Sequence, residues 1–297
     1  MKKLYVLAFL SLLILTFGCG DDDGPSKPKT QPTMQVDTLL TGLEYPTGLW
    51  VKDGKVYFTE TAGRNTGFGG KIALTVYDVG SGDTTLLADD PVNSDAVVVA
   101  SDGMIYLTSY LNSIPGDQGK VSAVDPATKT ETHVVDIAIA ACDMFIEPDD
   151  DIYIIGSSDT PGANSIYLLS AGAYTSPSVL HTGLGRTRCI SKSGATLYYA
   201  DIASIWYWSG SKFVNFADKG IISMSFSSKY LFYSDHLGGT VGAIDLSTKA
   251  DVTLCSGLNY PLSVRWDDAD GKLYFVECGS VANQFKDGTL KVVTGIQ

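Results

Sequence analysis

Two carboxylates and a guanidinium recur at equivalent places in this chain. Aligning the apolar runs that follow successive turns puts Thr47, Asp95, Asp143, Arg188, Ile222 and Leu262 at the start of six strands. Equivalent positions converge when a repeat closes on itself, and convergent carboxylate oxygens are what a hard cation needs. Asp143 and Arg188 could instead neutralise each other as an ion pair between neighbouring repeats, closing the central channel. Further polar candidates stand at the ends of other strands: Glu60 after KVYFT, Glu277 after KLYFV, and Asp235-His236 after YLFYS. With Tyr45 and Tyr260 as aromatic walls, carboxylates gathered around one opening favour a cationic or hydroxyl-rich ligand, while Arg188 offers an anchor for an anion or a carbonyl.

Other chemistries find no footing. His133, His181 and His236 are the only histidines, and none belongs to an HExxH pair, which argues against a zinc hydrolase. Of the three only His236 falls near the other candidates. GxSxG, GxGxxG and GxxxxGK[ST] are absent, so serine hydrolysis and nucleotide chemistry lack their motifs. Asp268, Asp270, Gly271 and Glu277 mimic part of a calcium loop. Gly271 to Glu277 is a strand, however, spanning about 20 Å at roughly 3.3 Å per residue, and those oxygens cannot converge. Cys142, Cys189, Cys255 and Cys278 contain no CxxC. An even number permits disulfides without requiring them. Cys255 and Cys278 end strands that open on one face and could pair; Cys142 and Cys189 are a second option, subject to a Cα separation below about 7 Å. Buried thiols are the alternative.

The elements that must position these residues are read from a repeat. Residues 38–51, TLLTGLEYPTGLWV, reappear as residues 253–266, TLCSGLNYPLSVRW, and each copy leads into a hairpin ending in a carboxylate. Six such hairpins, from GLWVKDGKVYFTE to SVRWDDADGKLYFVE, divide the 264 residues from Met34 onward into units of about 44, the length of a four-stranded propeller blade. Apolar alternation broken by Gly, Asp and Ser, with no helical period, makes the chain all-β. The reading is one domain, a six-bladed β-propeller over residues 34–297. Its sixth blade lacks an outermost strand, which MQVDTLLT at residues 34–41 supplies, closing the ring and protecting its edges. Loops after the second strand are long in blades one, two, three and six, so one rim is elaborated, and there the binding site is expected.

The blade sequence resembles the YWTD repeats of lipoprotein-receptor propellers and the NHL and TolB-like propellers. Tyr57-Phe58-Thr59-Glu60, Phe232-Tyr233-Ser234-Asp235 and Tyr274-Phe275-Val276-Glu277 stand where those families place Tyr-Trp-Thr-Asp. These aromatics are expected to pack between blades. The chain also resembles, more distantly, gluconolactonase-type propellers. That likeness implies a divalent ion, calcium for instance, at the channel mouth, held by Glu44, Asp95 and Asp143, and a metal-dependent lactonase activity as the alternative to a ligand- or protein-binding module. Arg188 would repel such an ion.

The amino terminus sets the expected location. Met1-Lys2-Lys3 and the apolar run from Leu4 to Leu15 read as a signal peptide over residues 1–18. Leu15-Thr16-Phe17-Gly18-Cys19 resembles a bacterial lipoprotein box, implying a lipid on Cys19 that holds the protein to the membrane. Residues 19–33 lack aliphatic side chains and read as a disordered tether, and Asp21-Asp22-Asp23 resembles the export signal of Bacteroidetes-type surface lipoproteins. An outer-membrane lipoprotein exposed at the cell surface is the expectation. Removing residues 1–18 takes away Lys2 and Lys3 and no acid, moving the formal net charge from −12 to −14. Such a balance disfavours nucleic acid and leaves an unidentified small molecule, glycan or protein as the ligand.

Overall fold

The computed structural model describes residues 34–61, 72–90, 94–109, 119–156 and 162–296. The signal peptide, Cys19 and the tether lie outside the described residues, as do most of the long loops after the second strands of blades one to three. From Met34 the chain opens with β1 (Gln35–Leu43). Blade one is β2 (Pro46–Lys52), β3 (Lys55–Thr61), β4 (Ile72–Asp78) and β5 (Thr84–Asp90). Blade two is β6 (Ser94–Val99), β7 (Ile105–Ser109), β8 (Gly119–Asp125) and β9 (Thr130–Ile137). Blade three is β10 (Ala141–Ile146), β11 (Ile152–Gly156), β12 (Asn164–Leu169) and β13 (Ser178–Leu184), and blade four is β14 (Thr187–Ser193), β15 (Thr196–Asp201), β16 (Ile205–Trp208) and β17 (Phe213–Ala217). Blade five is β18 (Ser223–Phe226), β19 (Tyr230–Asp235), β20 (Thr240–Asp245) and β21 (Asp251–Ser256). The last is β22 (Pro261–Asp267), β23 (Lys272–Glu277) and β24 (Gly288–Thr294), completed by β1.

Each blade is a four-stranded antiparallel sheet, and β1 pairs with β24 from Gln35 opposite Thr294 to Leu43 opposite Gly288. The ring therefore closes by a strand from the other end of the chain. Inner strands pack against their neighbours around the ring, β2 on β6, β6 on β10, and so on to β22 on β2. This explains their composition. An inner strand is covered on both faces, so Ala96 to Ala100 is apolar without alternation and wholly buried. Outermost strands such as β9 and β13 are largely exposed and carry polar residues.

The core lies between blades. Phe58 and Tyr77 of blade one pack with Tyr274, Val276 and Leu290 of blade six, and Phe232 and Val241 of blade five pack with Val264 and Phe275 on its other side. The aromatics that stand in for the Tyr-Trp motif are thus buried between blades, Tyr233, Tyr274, Phe232 and Phe275 almost completely, with Tyr57 half-buried. The hairpins between third and fourth strands share a cap. Asp78, Asp125 and Asp245 each accept backbone N–H groups two and three residues on; these bonds hold the Asp78 and Asp125 carboxyls below the ordinary aspartate range, and the Ser247 hydroxyl, with the same amides, does so for Asp245.

Candidate functional site

The repeated segment builds the same turn twice on the crossover rim. Gly42 and Gly257 have φ of 75° and 73°, and three residues later Tyr45 and Tyr260 are left-handed at 53° and 56°. A non-glycine residue there is uncommon and must be held by its surroundings. The holding groups are Glu60 and Glu277. Glu60 Oε1 accepts the Glu44 N–H at 2.9 Å, Glu277 Oε2 accepts the Asn259 N–H at 2.9 Å, and the tyrosine carbonyls accept from Thr61 and Cys278. Glu277, buried, also takes Thr289 Oγ1 at 2.7 Å and Lys291 Nζ at 2.5 Å. Burial pushes the Glu60 carboxyl above its usual range, with the Glu44 amide pulling against it. The strand-end carboxylates therefore clamp turns, Glu60 through one backbone amide and Glu277 through an amide, a hydroxyl and an ammonium.

Beside these turns the rim gathers several of the expected residues. Arg188, Asp235 and His236 line a cleft of about 330 Å³ between blades four and five, with Ile202, Ile221, Ile222 and Leu237 as its apolar wall. Arg188 is exposed and Leu237 is 88% exposed. Asp235 Oδ1 accepts the Gly238 N–H at 2.7 Å, which fixes the loop after β19. From the cleft an aromatic string runs toward blade one: His236 lies 4.9 Å from Tyr260, Tyr260 5.8 Å from Phe285, and Phe285 5.0 Å from Tyr45. Tyr45 and Tyr260 thus meet through Phe285, a residue that sequence reasoning missed. Phe285 and Gln284 are themselves left-handed, at 58° and 56°.

Asp143 belongs to a different assembly. Its partner is not Arg188, and the ion pair considered between neighbouring blades does not form. Asp143 Oδ1 lies 3.4 Å from Arg265 Nη2, and Oδ2 accepts the Ile190 N–H at 3.0 Å. Arg265 stands on β22 of blade six and Asp143 on β10 of blade three, opposite positions in a ring of six, so the pair crosses the channel. Both are buried, and Arg265 Nη1 also reaches Ser223 Oγ and the carbonyls of Met224 and Val264. Burial pushes the Asp143 carboxyl upward against the pull of the guanidinium. This bears on the calcium set of Glu44, Asp95 and Asp143. Asp143 does not fit it, because both its oxygens are engaged and a fixed cation stands beside it. Glu44 is half-buried on the turn clamped by Glu60; Asp95 lies in β6, with its side chain outside the described residues. Among the described residues, carboxylates do approach one another at Glu147, Asp149 and Asp151, where the ligand atoms lie within 4.8 Å. Glu147 there pairs with Lys192 at 2.6 Å, and Asp151 accepts the Ala171 N–H.

Beyond the Asp143–Arg265 pair, where the inner strands end in hairpins, the channel opens into a second cavity of about 490 Å³. Trp50, Phe145, Phe226 and Trp266 form its walls and Arg265 contributes from within. None of these was singled out from the sequence. A signal existed: in the aligned repeat Arg265 replaces Trp50, a charge in the middle of an inner strand next to buried Val264.

The four cysteines among the described residues are thiols, and neither Cys255 with Cys278 nor Cys142 with Cys189 is paired. Cys278 Sγ, buried, points at the Pro46 carbonyl 3.7 Å away, whereas Cys255 sits on β21 opposite Val241, in the cluster between blades five and six. Cys142 Sγ faces the Ile155 carbonyl at 3.3 Å, and Cys189 is fully buried. Burial pushes the Cys189 thiol far up, which makes it unreactive.

Fold and site together define a six-bladed β-propeller whose channel is crossed by a salt bridge and whose two mouths differ. No family model matches the sequence, and no curated protein matches it. Solved structures do. The chain superposes on regucalcin from Agrobacterium tumefaciens str. C58, a calcium-binding protein, with a TM-score of 0.66 and 16% identity over 87% of this chain and 94% of that one. It superposes on a gluconolactonase from Xanthomonas campestris with a TM-score of 0.63 and 11% identity, covering 88% and 89% of the two chains. The nidogen/laminin complex gives a TM-score of 0.58 and 13% identity over 70% of this chain and 78% of that one. These neighbours include YWTD-type and gluconolactonase-type propellers and establish the fold; at such identities function must be argued from the site.

Proposed function

We propose that this chain is a propeller tethered by lipid on Cys19 to the outer face of a bacterial envelope, and that it binds a small molecule, glycan or protein at the crossover rim without transforming it. Arg188, Asp235 and His236 supply the polar anchors, and Tyr260 with Phe285 and Tyr45 the aromatic wall. The single observation favouring binding over metal-dependent hydrolysis is the engagement of Asp143 by Arg265 and Ile190. A lactonase of the gluconolactonase type needs a polarising ion, and one of the two carboxylates that matched such a site in the sequence, Asp143, is already paired with Arg265. The calcium-binding and lactonase neighbours make the test specific. Purified protein given glucono-δ-lactone with calcium is expected to show no turnover above buffer hydrolysis, before or after EDTA treatment; EDTA-sensitive turnover would replace this reading with the hydrolase.

The anchor has its own test. Cys19→Ala is expected to move the protein from the membrane pellet to the soluble fraction, since one acidic domain offers no basic patch for lipid headgroups. Retention of the variant in the pellet, or mass spectrometry showing an unmodified terminus other than Cys19, would refute lipidation.

A further inference from the structure

We infer that the cavity at the hairpin end of the channel is a second binding site, and that it takes a neutral, polyhydroxylated ring of the pyranoside kind. Trp50 and Trp266 enter it from neighbouring blades, and Phe145 and Phe226 from two others. Four aromatic side chains at the ends of inner strands, each also packed on one side against a core cluster, present flat apolar surface to the cavity. Lys52, Lys192 and Arg265 share the lining with Glu147, Asp150 and Asp268, as many cations as carboxylates. The lining carries no net charge of its own, so it favours a ligand that carries none either.

These polar groups are held in place rather than floating. Lys192 pairs with Glu147 at 2.6 Å, Asp150 Oδ1 accepts the Ser101 N–H at 2.7 Å, Asp268 accepts the Trp266 Nε1–H at 2.6 Å, and Lys52 reaches the Ala100 carbonyl. Each keeps spare capacity, since a carboxylate accepts about four bonds and an ammonium donates three. Arg265, with a side chain 8% exposed, carries an Nε–H with no acceptor, and its guanidinium lies 5.4 Å from the Trp50 ring. An unmet donor in a buried guanidinium at the wall of a cavity is costly unless something supplies the acceptor. Fixed donors and acceptors in balance, set around aromatic faces, match a molecule whose hydroxyls both give and take hydrogen bonds and whose C–H face is apolar. The volume of about 490 Å³ admits one or two such rings.

Saturation-transfer NMR on the purified full chain tests this, with methyl β-D-glucopyranoside, methyl β-D-galactopyranoside and methyl α-D-mannopyranoside as probes and glucuronate and choline as charged controls. At least one neutral probe is expected to receive saturation and to quench tryptophan fluorescence, at least tenfold more strongly than either control. Asp268→Ala, on an exposed residue that accepts the Trp266 indole N–H, should weaken that binding tenfold or more, as should Trp266→Ala if it folds. Arg188→Ala, on the other mouth, should leave it unchanged, so the cavity and the rim stand or fall separately. Binding of no neutral probe, equal binding of glucuronate or choline, or full binding by folded Asp268→Ala would overturn the inference.

Discussion

Removing residues 34–43 is expected to lower the melting temperature by more than about 10 °C or to leave the protein aggregated. The strand β1 belongs to blade six, where it forms the whole outer ladder with β24. It also delivers Leu43, buried, and Leu39 and Leu40, partly buried, to the cluster shared by blades six and one. Burying an aliphatic side chain contributes about 1.5–3 kcal/mol, so the loss reaches several kcal/mol before the ladder is considered. A domain of this size loses roughly 2–4 °C per kcal/mol. The truncation also bares β24 as an open edge with unpaired N–H and C=O groups, a template for aggregation. Removing residues 20–33 instead should leave the melt where it was. Scanning calorimetry of the two truncations decides the matter, and an unchanged melt for the first would contradict ring closure by this strand.

Asp143→Asn should destabilise the domain by about 3–5 kcal/mol, because it leaves Arg265 charged and buried without its counter-ion. Arg265→Met should cost a comparable amount for the converse reason. The combination Asp143→Leu with Arg265→Met removes both charges and should recover most of the loss, since an apolar pair of similar volume commonly matches a buried salt bridge. Arg188→Ala, on the exposed rim, should stay within about 0.5 kcal/mol of the parent. Chemical denaturation of the set, with Asp143→Leu alone added to close the cycle, gives the coupling directly. Additive losses in the double variant would mean that the two residues do not act as a pair across the channel.

The fold was legible because it repeats. The segment around Tyr45 and Tyr260, the six hairpins and the strand missing from the last blade are local patterns, and local patterns survive divergence to identities of 11–16% with the solved neighbours. The rim was legible in part. Arg188, Asp235 and His236 do share a cleft, and Tyr45 and Tyr260 do join one aromatic string. Glu60 and Glu277 look like ligands in the sequence because a carboxylate at a strand end reads the same whether it faces a channel or a backbone amide. Only the geometry of the Tyr-Pro turn shows that each also accepts a backbone amide of the turn beside it. The partner of Asp143 was out of reach for a different reason: Arg265 lies 122 residues away along the chain, and nothing in either strand encodes which opposite blade it meets. The hairpin-end cavity escaped because Trp50, Phe145, Phe226 and Trp266 each look like ordinary core.

Arg265 crosses the channel to Asp143 where a calcium ligand was expected, and calcium titration of the purified protein by isothermal calorimetry tests most directly whether that pair stands in place of an ion. No site tighter than about 10⁻³ M, the weak end of extracellular calcium modules, is predicted, and Asp143→Asn should leave the isotherm unchanged. A single stoichiometric site in the micromolar range that Asp143→Asn abolishes would contradict the account and restore the metal-dependent reading.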